Sequence, residues 1–400
     1  RDVERSRGLG DVYKRQALLH YKYIHLLKVI ISALKSNDPK DQRSPIHSDT
    51  LSALINTGAE IFFEEGIGDG INTSDNEFKK AGLKAAPRSE CISKSDLIIT
   101  NQALGFEEIS LIKSGSSLIG MVNPFGNQEL INTCAEKNIN LISMEFIPRI
   151  TRAQKMDVLS SQANLAGYAA VIESAKHLST ALPMMMTAAG TLKPARVFVI
   201  GVGVAGLQAI ATAKRLGARV DAFDTRDVVE EQVNSLGAKF VKIDLGETGQ
   251  TDQGYAKELT PEQVQKQKDL QSDVCARSDI VITTAQLFGR PAPQLIDRNT
   301  IEKMKPGSVI FDMAVESGGN VEGSVADEVI INNGVKIIGI SNLASSVSNH
   351  ASLALSNNYN HWITDFYDKE ENNINFDFED EIIKSSVLVF NGKIVNERFQ

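Results

Sequence analysis

The stretch Arg196-Val-Phe-Val-Ile-Gly-Val-Gly-Val-Ala-Gly206 is the strongest indication of how this chain folds. An apolar run typical of a buried strand leads into the pattern Gly201-x-Gly203-x-x-Gly206, and a helix pattern follows over residues 207–216. Glycines in this order permit a tight turn, let the backbone approach a pyrophosphate and let helix pack on strand, while the helix N-terminus faces the phosphates. The stretch therefore predicts a dinucleotide-binding unit; a tight turn without a ligand is the alternative.

An acidic residue follows the next strand-like run at the expected distance. Asp224 lies 23 residues after Gly201 (224 − 201). A carboxylate at this point can accept hydrogen bonds from a ribose 2′-OH and repels a 2′-phosphate, which favours NAD over NADP. Arg226 leaves that preference open, since a nearby guanidinium could accept a phosphate.

Apolar runs alternate with helix patterns on both sides of the glycine pattern. They begin near residue 28 and recur at residues 60–64, 97–100, 117–120, 141–144, 220–224, 239–243, 280–284, 309–313 and 335–339. This alternation predicts an α/β fold of two Rossmann-like domains with parallel sheets. Residues 48–58 and 164–178 are predicted to be helical, the second forming the connector between domains.

The C-terminal segment is predicted to complete the first domain. Its strand-like run at residues 387–390 follows a helix pattern over 351–366, and we expect it to fold back on the first sheet. The first domain is then discontinuous, with residues 28–163 and 345–400, and the dinucleotide domain comprises residues 164–344. Residues 1–27 are interpreted as a ragged or non-native end.

Composition excludes several classes of protein. A chain of 400 residues exceeds one comfortable core, and a net charge of −8 argues against nucleic acid as a partner. No apolar run reaches the roughly 18 residues of a membrane span. The cysteines are far apart, the histidines lack ligand spacing, and so neither a disulfide framework nor a metal site is expected. The run Met184-Met-Met186 is interpreted as core filling.

A polar segment precedes the glycine pattern: Pro148-Arg-Ile-Thr-Arg-Ala-Gln-Lys-Met-Asp-Val-Leu-Ser-Ser-Gln162. Its polar side chains are closely spaced and could face one cofactor: Arg149, Arg152, Gln154, Asp157 and Ser160. If the segment is helical, Gln154 and Asp157 share a face. An exposed charged loop leading into a helix is an equally good interpretation of the residues alone.

Two runs together carry a family resemblance. "PRITRAQKMDVLSSQANLAGY" at residues 148–168, with "LPMMMTAAGTLKPARVFVIGVGVAGLQAIATAKRLGA" at residues 182–218, closely resembles the NAD(H)-binding alpha-type subunits of proton-translocating NAD(P) transhydrogenases. The resemblance covers residues 28–400 and is densest over 144–350. Alanine dehydrogenases, which share the two-domain fold, are the broader relatives.

The resemblance implies the site residues. Those implied to contact the nicotinamide and its ribose are Arg149, Ile150, Thr151, Arg152 and Gln154. The set implied at the hydride-transfer face is Gln154, Asp157, Ser160, Arg149 and Tyr255. Further contacts implied for the nucleotide are Gly201, Gly203, Val204, Ala205, Gly206, Asp224, Thr225, Arg226, Gly254, Gln267 and Gln286. Residues 246–271 are either a surface insert or, as in the family, a mobile loop with Tyr255 at its tip.

The resemblance also implies an activity and its partners. The activity is that of a Si/Re-specific, proton-translocating NAD(P)+ transhydrogenase, which passes a hydride directly between NADH and NADP+. This chain would bind NAD(H), and a partner domain would hold NADP(H). A membrane-spanning partner would carry the proton. The chain would be a homodimer at the cytoplasmic face of the inner membrane, active only with its partner subunits.

An amino-acid dehydrogenase is the main alternative. Such an enzyme must clamp a substrate carboxylate with Lys or Arg and needs a His- or Asp-type acid/base. Arg43 stands at the early arginine position, but no histidine occurs between His47 and His177, and Glu316 replaces the Asp usual in the dehydrogenases. Transfer between two nicotinamides needs positioning rather than a proton donor. A catalytically idle NAD-binding regulator is the third possibility.

Overall fold

A computed structural model describes residues 28–242 and 260–400. The chain divides into two compact units, Arg1–Val158 with Ser352–Gln400 (unit 1) and Leu159–Ala351 (unit 2). The α/β class and the discontinuous first domain predicted from the sequence are confirmed. The predicted limits, 163/164 and 344/345, fall several residues inside unit 2. The predictions for residues 1–27, Gly254 and Tyr255 lie outside the described residues.

Helices and strands are numbered here in chain order. The strands are β1 Ile30–Ala33, β2 Glu60–Glu64, β3 Lys84–Ala86, β4 Leu97–Thr100, β5 Ser117–Gly120, β6 Asn140–Ser143, β7 Met185–Thr187, β8 Gly190–Leu192, β9 Arg196–Ile200, β10 Arg219–Phe223, β11 Lys239–Phe240, β12 Ile280–Thr283, β13 Val309–Asp312, β14 Glu328–Asn332, β15 Val335–Gly339, β16 Tyr367–Asp368, β17 Asn373–Ile374, β18 Val387–Phe390 and β19 Lys393–Ile394. The α-helices are α1 Leu51–Ile55, α2 Asp75–Lys80, α3 Arg88–Lys94, α4 Phe106–Leu111, α5 Gln128–Glu136, α6 Val158–His177, α7 Val204–Arg215, α8 Glu230–Ser235, α9 Pro261–Arg277, α10 Arg298–Lys303, α11 Ser348–Phe366 and α12 Glu381–Ser386.

Unit 1 is built on a sheet with strand order β19-β18-β6-β5-β4-β1-β2-β3. Strands β1 to β6 pair in parallel, and β18 joins antiparallel to β6. Helix α11 packs Tyr359 and Trp362, both fully buried, into this unit. The C-terminal segment thus supplies two strands and part of the core of unit 1, because β18 pairs with β6, which begins 247 residues earlier in the chain (387 − 140).

Unit 2 is built on a sheet with strand order β11-β10-β9-β12-β13-β15-β14. The pairings in this sheet are parallel except that of β14 with β15. Along β9, Val197 and Val199 join the apolar cluster on one face, whereas Phe198 and Ile200 join the cluster on the other. A strand covered on both faces is apolar at every position, which explains the unbroken run in the sequence.

Two local predictions differ from the structure. Residues 48–58 form a short 3-10 turn, Ser48–Thr50, and the five-residue α1 rather than one helix. The connector helix α6 begins at Val158, earlier than residue 164. Strands β3 and β14 were not predicted. β14 is an edge strand, and its residues do not alternate regularly between exposed and buried positions, so the sequence lacks the two-residue period typical of a strand.

The interpretation of the methionine run as core filling is wrong. Met184–Met186 leads into the antiparallel hairpin of β7 and β8, which forms its own two-stranded sheet. Every residue of both strands is exposed, and Met186 reaches 82%. Apolar composition predicted burial, but the described residues of the chain leave this hairpin, which is separate from the main sheets, uncovered. Among the described residues, no helix has the length and apolarity to cross a membrane.

Candidate functional site

The glycine turn joins β9 to α7 at the carboxyl edge of the unit 2 sheet. Gly201 has φ +95°, and a Cβ there would lie 2.5 Å from Thr284 Oγ1. A Cβ on Gly206 would overlap the carbonyl oxygen of Gly201. Packing therefore requires glycine at both positions. Within the described chain, a Cβ on Gly203 would meet no atom within 4 Å, so this glycine faces open space.

Helix α7 starts in that open space. Gly203 is its N-cap residue, and Val204 is exposed in its first turn. The first backbone N–H groups of a helix have no partner within it and carry partial positive charge, which suits a phosphate. Gly167 of α6 packs against the carbonyl of Ala205, where a Cβ would overlap that oxygen. Close packing by Gly167 therefore holds the start of α7 in place.

Asp224 follows directly after β10 and is buried beside the glycine turn. Its Oδ2 accepts from the backbone N–H of Val202 at 2.7 Å. Arg226 donates from Nε to Oδ1 at 2.8 Å and from Nη2 to Oδ2 at 2.9 Å, and its Nη2 also donates to the carbonyl of Val202 at 3.2 Å. These hydrogen bonds to Asp224 raise the pKa of Arg226. The two side chains thus form one neutral, bidentate pair; Thr225 lies between them, partly buried.

The loops after β12 and β13 border the other side of the glycine turn. Thr284 Oγ1 donates to the carbonyl of Gly201 at 3.0 Å. Gln286 is exposed, and its Nε2 donates to the carbonyl of Met313 at 3.3 Å. Gln267, predicted as a cofactor contact, is buried on α9. The roles predicted for Gln286 and Gln267 stay predictions.

The segment from Arg149 to Asp157 belongs to unit 1 and is mostly a 3-10 helix, Thr151–Met156. Ala153 and Met156 are buried and anchor it, whereas its polar side chains are exposed or partly exposed: Arg149, Thr151, Arg152, Gln154 and Asp157. Ile150 is partly buried before its first turn. Asp157 lies beyond the end of the 3-10 helix, so it does not share a regular helix face with Gln154.

Two charged residues of this segment have partners in the C-terminal portion of unit 1. Arg152 Nη2 lies 2.6 Å from both carboxylate oxygens of Asp380, and Lys155 pairs with Asp365 at 2.7 Å. Arg152 therefore has a structural contact in addition to any cofactor contact. Ser160 lies in α6 and is assigned to unit 2.

Arg43, the residue a dehydrogenase would use to clamp a carboxylate, is buried in an ion pair. Its Nε donates to Asp41 Oδ1 at 2.8 Å and its Nη2 to Asp41 Oδ2 at 3.0 Å. Both side chains are less than a tenth exposed. Glu316 accepts from the backbone N–H of Asn342 at 3.0 Å. Both residues thus have hydrogen-bond partners within their own units.

The remaining candidate reactive groups are the cysteine thiols and the side chains that could bind a metal. Cys91, Cys134 and Cys275 are free and buried, and burial raises the pKa of each thiol to about 12. The absence of disulfides among them agrees with their wide spacing. Within residues 28–242 and 260–400, no group of three His, Cys, Asp or Glu side chains could hold a metal ion.

Sequence reasoning missed residues that support the glycine turn through packing and hydrogen bonds. Gly167 and Thr284 contact it directly, and buried Asp312 and Asn320 organise the loops after β12 and β13. The sequence signal for the last pair is the Gly318-Gly319 dipeptide shortly after Asp312, which indicates a turn but not its purpose.

The fold and this site define a class: a two-unit α/β nucleotide-binding oxidoreductase. Family models described as alanine dehydrogenase/PNT, N-terminal domain and C-terminal domain, match residues 34–166 and 170–397. The first part of NAD(P) transhydrogenase subunit alpha from Rickettsia prowazekii is 42% identical over 371 residues, covering 92% of this chain and 96% of that relative. A crystal structure of transhydrogenase from Sinorhizobium meliloti has a TM-score of 0.83 at 42% identity, covering 92% of this chain and 100% of the other. A solved L-alanine dehydrogenase shares the fold, with a TM-score of 0.77 at 20% identity over 93% of this chain and 98% of the other.

The chain therefore belongs to the alanine dehydrogenase/PNT family and, within it, to the alpha subunits of the NAD(P) transhydrogenases. It is an NAD(P) transhydrogenase component.

Proposed function

We propose that this chain is the NAD(H)-binding component of a Si/Re-specific, proton-translocating NAD(P) transhydrogenase. It would hold NADH while a hydride passes directly to NADP+ on a partner domain, and a membrane-spanning partner would couple this exchange to proton translocation. The observation that carries the proposal is the turn at Gly203, which opens onto free space at the start of α7 beside the buried carboxylate of Asp224.

The pair of Asp224 and Arg226 supports NAD(H) as the bound nucleotide. A 2′-phosphate would have to approach a buried carboxylate, which repels it. Arg226 is the cation that could offset this repulsion, but its guanidinium already donates twice to Asp224. Because the arginine charge is neutralised within the pair, we infer that it does not serve as a phosphate site.

Residues of the polar segment are proposed to orient the nicotinamide. Exposed Gln154 and partly exposed Asp157, with Ser160, are the proposed hydride-transfer set, and Arg149, Ile150, Thr151 and Arg152 are proposed cofactor contacts. Direct transfer between two nicotinamides requires alignment and the exclusion of water, not acid–base chemistry. Tyr255 and Gly254 are proposed to belong to a loop that closes over the nucleotide.

An alanine dehydrogenase-like activity is disfavoured by the state of Arg43. A carboxylate clamp needs a guanidinium able to pair with the substrate, and Arg43 donates both Nε and Nη2 to buried Asp41. Binding a substrate carboxylate at Arg43 would require this buried ion pair to separate and would leave Asp41 without its partner. Together with the lack of histidine between residues 47 and 177, this pairing favours the transhydrogenase.

The proposed assembly is a homodimer bound to its partner subunits at the cytoplasmic face of the inner membrane. The exposed apolar hairpin supports self-association, since Met184, Met186 and Leu192 expose large apolar side chains. Light scattering of the purified chain measures its mass. A monomer at micromolar concentration would contradict the homodimer.

Reconstitution tests the function. The purified chain is titrated with NADH and then mixed with the NADP(H)-binding domain of a transhydrogenase and analogue nucleotides. Hydride exchange in the mixture, and in neither component alone, is the expected result. Reduction of pyruvate by the chain alone would establish the dehydrogenase instead, and NADH binding with neither activity would indicate a regulator.

A further inference from the structure

A buried polar cluster lies below the carboxyl edge of the unit 2 sheet, centred on Asp312 at the end of β13. Asp312 is 0% exposed. Its carboxylate accepts from the backbone N–H groups of Ala314, Asn320 and Val321 at 2.9, 2.9 and 3.2 Å, and from Ser324 Oγ at 2.6 Å. A carboxylate surrounded by this many donors fixes the loop that wraps around it.

Gly319 belongs to the loop that surrounds the carboxylate of Asp312. It has φ +81°, and a Cβ there would lie 2.7 Å from Ser324 Oγ and 2.9 Å from Asp312 Oδ2. Only glycine permits both this backbone conformation and this close approach. Gly319 is therefore explained by its approach to the carboxylate of Asp312, whereas Gly318 is explained by its own positive φ of +99°.

Asn320 extends the cluster to the neighbouring loop after β12. Its Oδ1 accepts from the backbone N–H of Ala285 at 3.1 Å, and its Nδ2 donates to the carbonyls of Ala285 at 2.9 Å and Pro293 at 2.8 Å. Asn320 is itself 0% exposed, so water does not reach its amide, and these protein groups supply its hydrogen bonds instead. One amide thus fixes both ends of the segment from Ala285 to Pro293.

The fixed loops border the half of the crevice opposite Asp224. The chain passes from β9 to β10 on one side and returns to β12 on the other, so the strand order reverses between β9 and β12. A dinucleotide spans such a point, with one nucleotide on each side. The loop held by Asn320 carries Gln286, and its neighbour Thr284 bonds to Gly201 of the glycine turn.

We infer that Asp312 and Asn320 are positioning residues for the second nucleotide of the bound dinucleotide. They act through the loops after β12 and β13, which they hold ready before the ligand arrives. This inference rests on the proposed NAD(H) function, and it adds that the nucleotide half near Asp224 is recognised independently of the cluster.

Binding of whole and half ligands tests the inference. Asn320→Ala and the milder Ser324→Ala are titrated with NADH and with AMP, which presents only the adenosine half. Affinity for NADH is expected to fall at least tenfold in Asn320→Ala and by a smaller factor in Ser324→Ala, while affinity for AMP stays within twofold of the wild type. Ser278→Ala, which removes a buried hydroxyl at the opposite edge of β12, is the matched control and should change neither affinity.

The alternatives give different results. Equal losses of NADH and AMP affinity, with a lowered unfolding midpoint, would show a purely structural role and overturn the inference. Unchanged affinity for NADH in both folded variants would overturn it as well. If Asn320→Ala does not fold, Ser324→Ala alone decides between these outcomes. A wild-type chain that binds AMP but not NADH would instead contradict the proposed function.

Discussion

Arg226 donates hydrogen bonds to both carboxylate oxygens of Asp224, at 2.8 and 2.9 Å. Asp224 is the acid proposed to recognise ribose, and Arg226 is the neighbouring cation that could bind a phosphate. The two side chains are thus joined in one buried pair. The proposed preference for NAD(H) therefore depends on this pair rather than on either residue alone.

Asp224→Ser should reverse the preference. Loss of the carboxylate removes the proposed ribose acceptor and makes Arg226 available to pair with a 2′-phosphate. The ratio of NADPH affinity to NADH affinity should rise by one to two orders of magnitude, since hydrogen bonds to charged groups contribute about 1.5–3 kcal/mol each. Calorimetric titration with both nucleotides measures it. Asp221→Ser, on the same strand, is the control, and an unchanged ratio in Asp224→Ser would show that the pair does not set the preference.

The glycines of the turn should separate binding from folding. Gly203→Ala adds a methyl group to open space at φ −85°, so the free energy of unfolding should change little while NADH affinity falls at least tenfold. Gly206→Ala forces a methyl group against the carbonyl of Gly201 and should destabilise unit 2 by about 1–3 kcal/mol or more. Urea unfolding and NADH titration of both variants measure the two effects. Equal stability losses would contradict the distinction.

Glu145 should make stability depend on pH. Burial raises the pKa of this carboxyl, although it accepts hydrogen bonds from Asn123 N and Ser143 Oγ at 2.7 Å each. The folded state then holds the proton more tightly than the unfolded state, where the pKa is about 4.3. The resulting stabilisation is fully present below that value and is lost as the pH rises through the folded pKa.

Glu145→Gln removes this titration. The difference in free energy of unfolding between the variant and the wild type should grow with pH, by about 1.4 kcal/mol for each unit by which the pKa is raised. Urea midpoints at several values from pH 4 upward measure it. Parallel curves for the two proteins would show that Glu145 is not responsible.

The three thiols should be inert in the folded chain. Each is buried, and a pKa of about 12 leaves almost no thiolate at neutral pH. A chromogenic disulfide reagent should label less than one cysteine per chain under native conditions and all three in denaturant. Rapid native labelling of even one thiol would contradict this burial, and mass spectrometry identifies which one reacts.

Local pattern predicted much of the fold. The glycine turn, β9 before it and α7 after it lie where the sequence indicated, because strand period, glycine geometry and helix start are all encoded within a few consecutive residues. The strand at Val387–Phe390 was also predicted, together with its return to the first domain. Short or edge elements such as β3 and β14 carry too few alternating positions to be recognised.

The polar segment shows where local pattern fails. A helix would have placed Gln154 and Asp157 on one face, but the 3-10 helix ends at Met156. Ala153 and Met156 of this helix are buried, and Arg152 and Lys155 form ion pairs with residues more than two hundred positions later. Contacts at that separation leave no trace in a short window of sequence.

The glycine turn of unit 2 could be predicted from a few consecutive residues, because the conformations that Gly201 and Gly206 allow are local properties of the backbone. The support of that turn depends instead on contacts between segments that are distant in the sequence. Gly167 packs against Ala205, and Asn320 bonds to Ala285 in the loop beside the turn. Asp224 and Arg226 are only two residues apart, but their pairing depends on the conformation of the loop after β10. The exposure of the methionine run likewise became visible only in the folded chain, since burial depends on which surfaces the packed layers leave uncovered and not on composition.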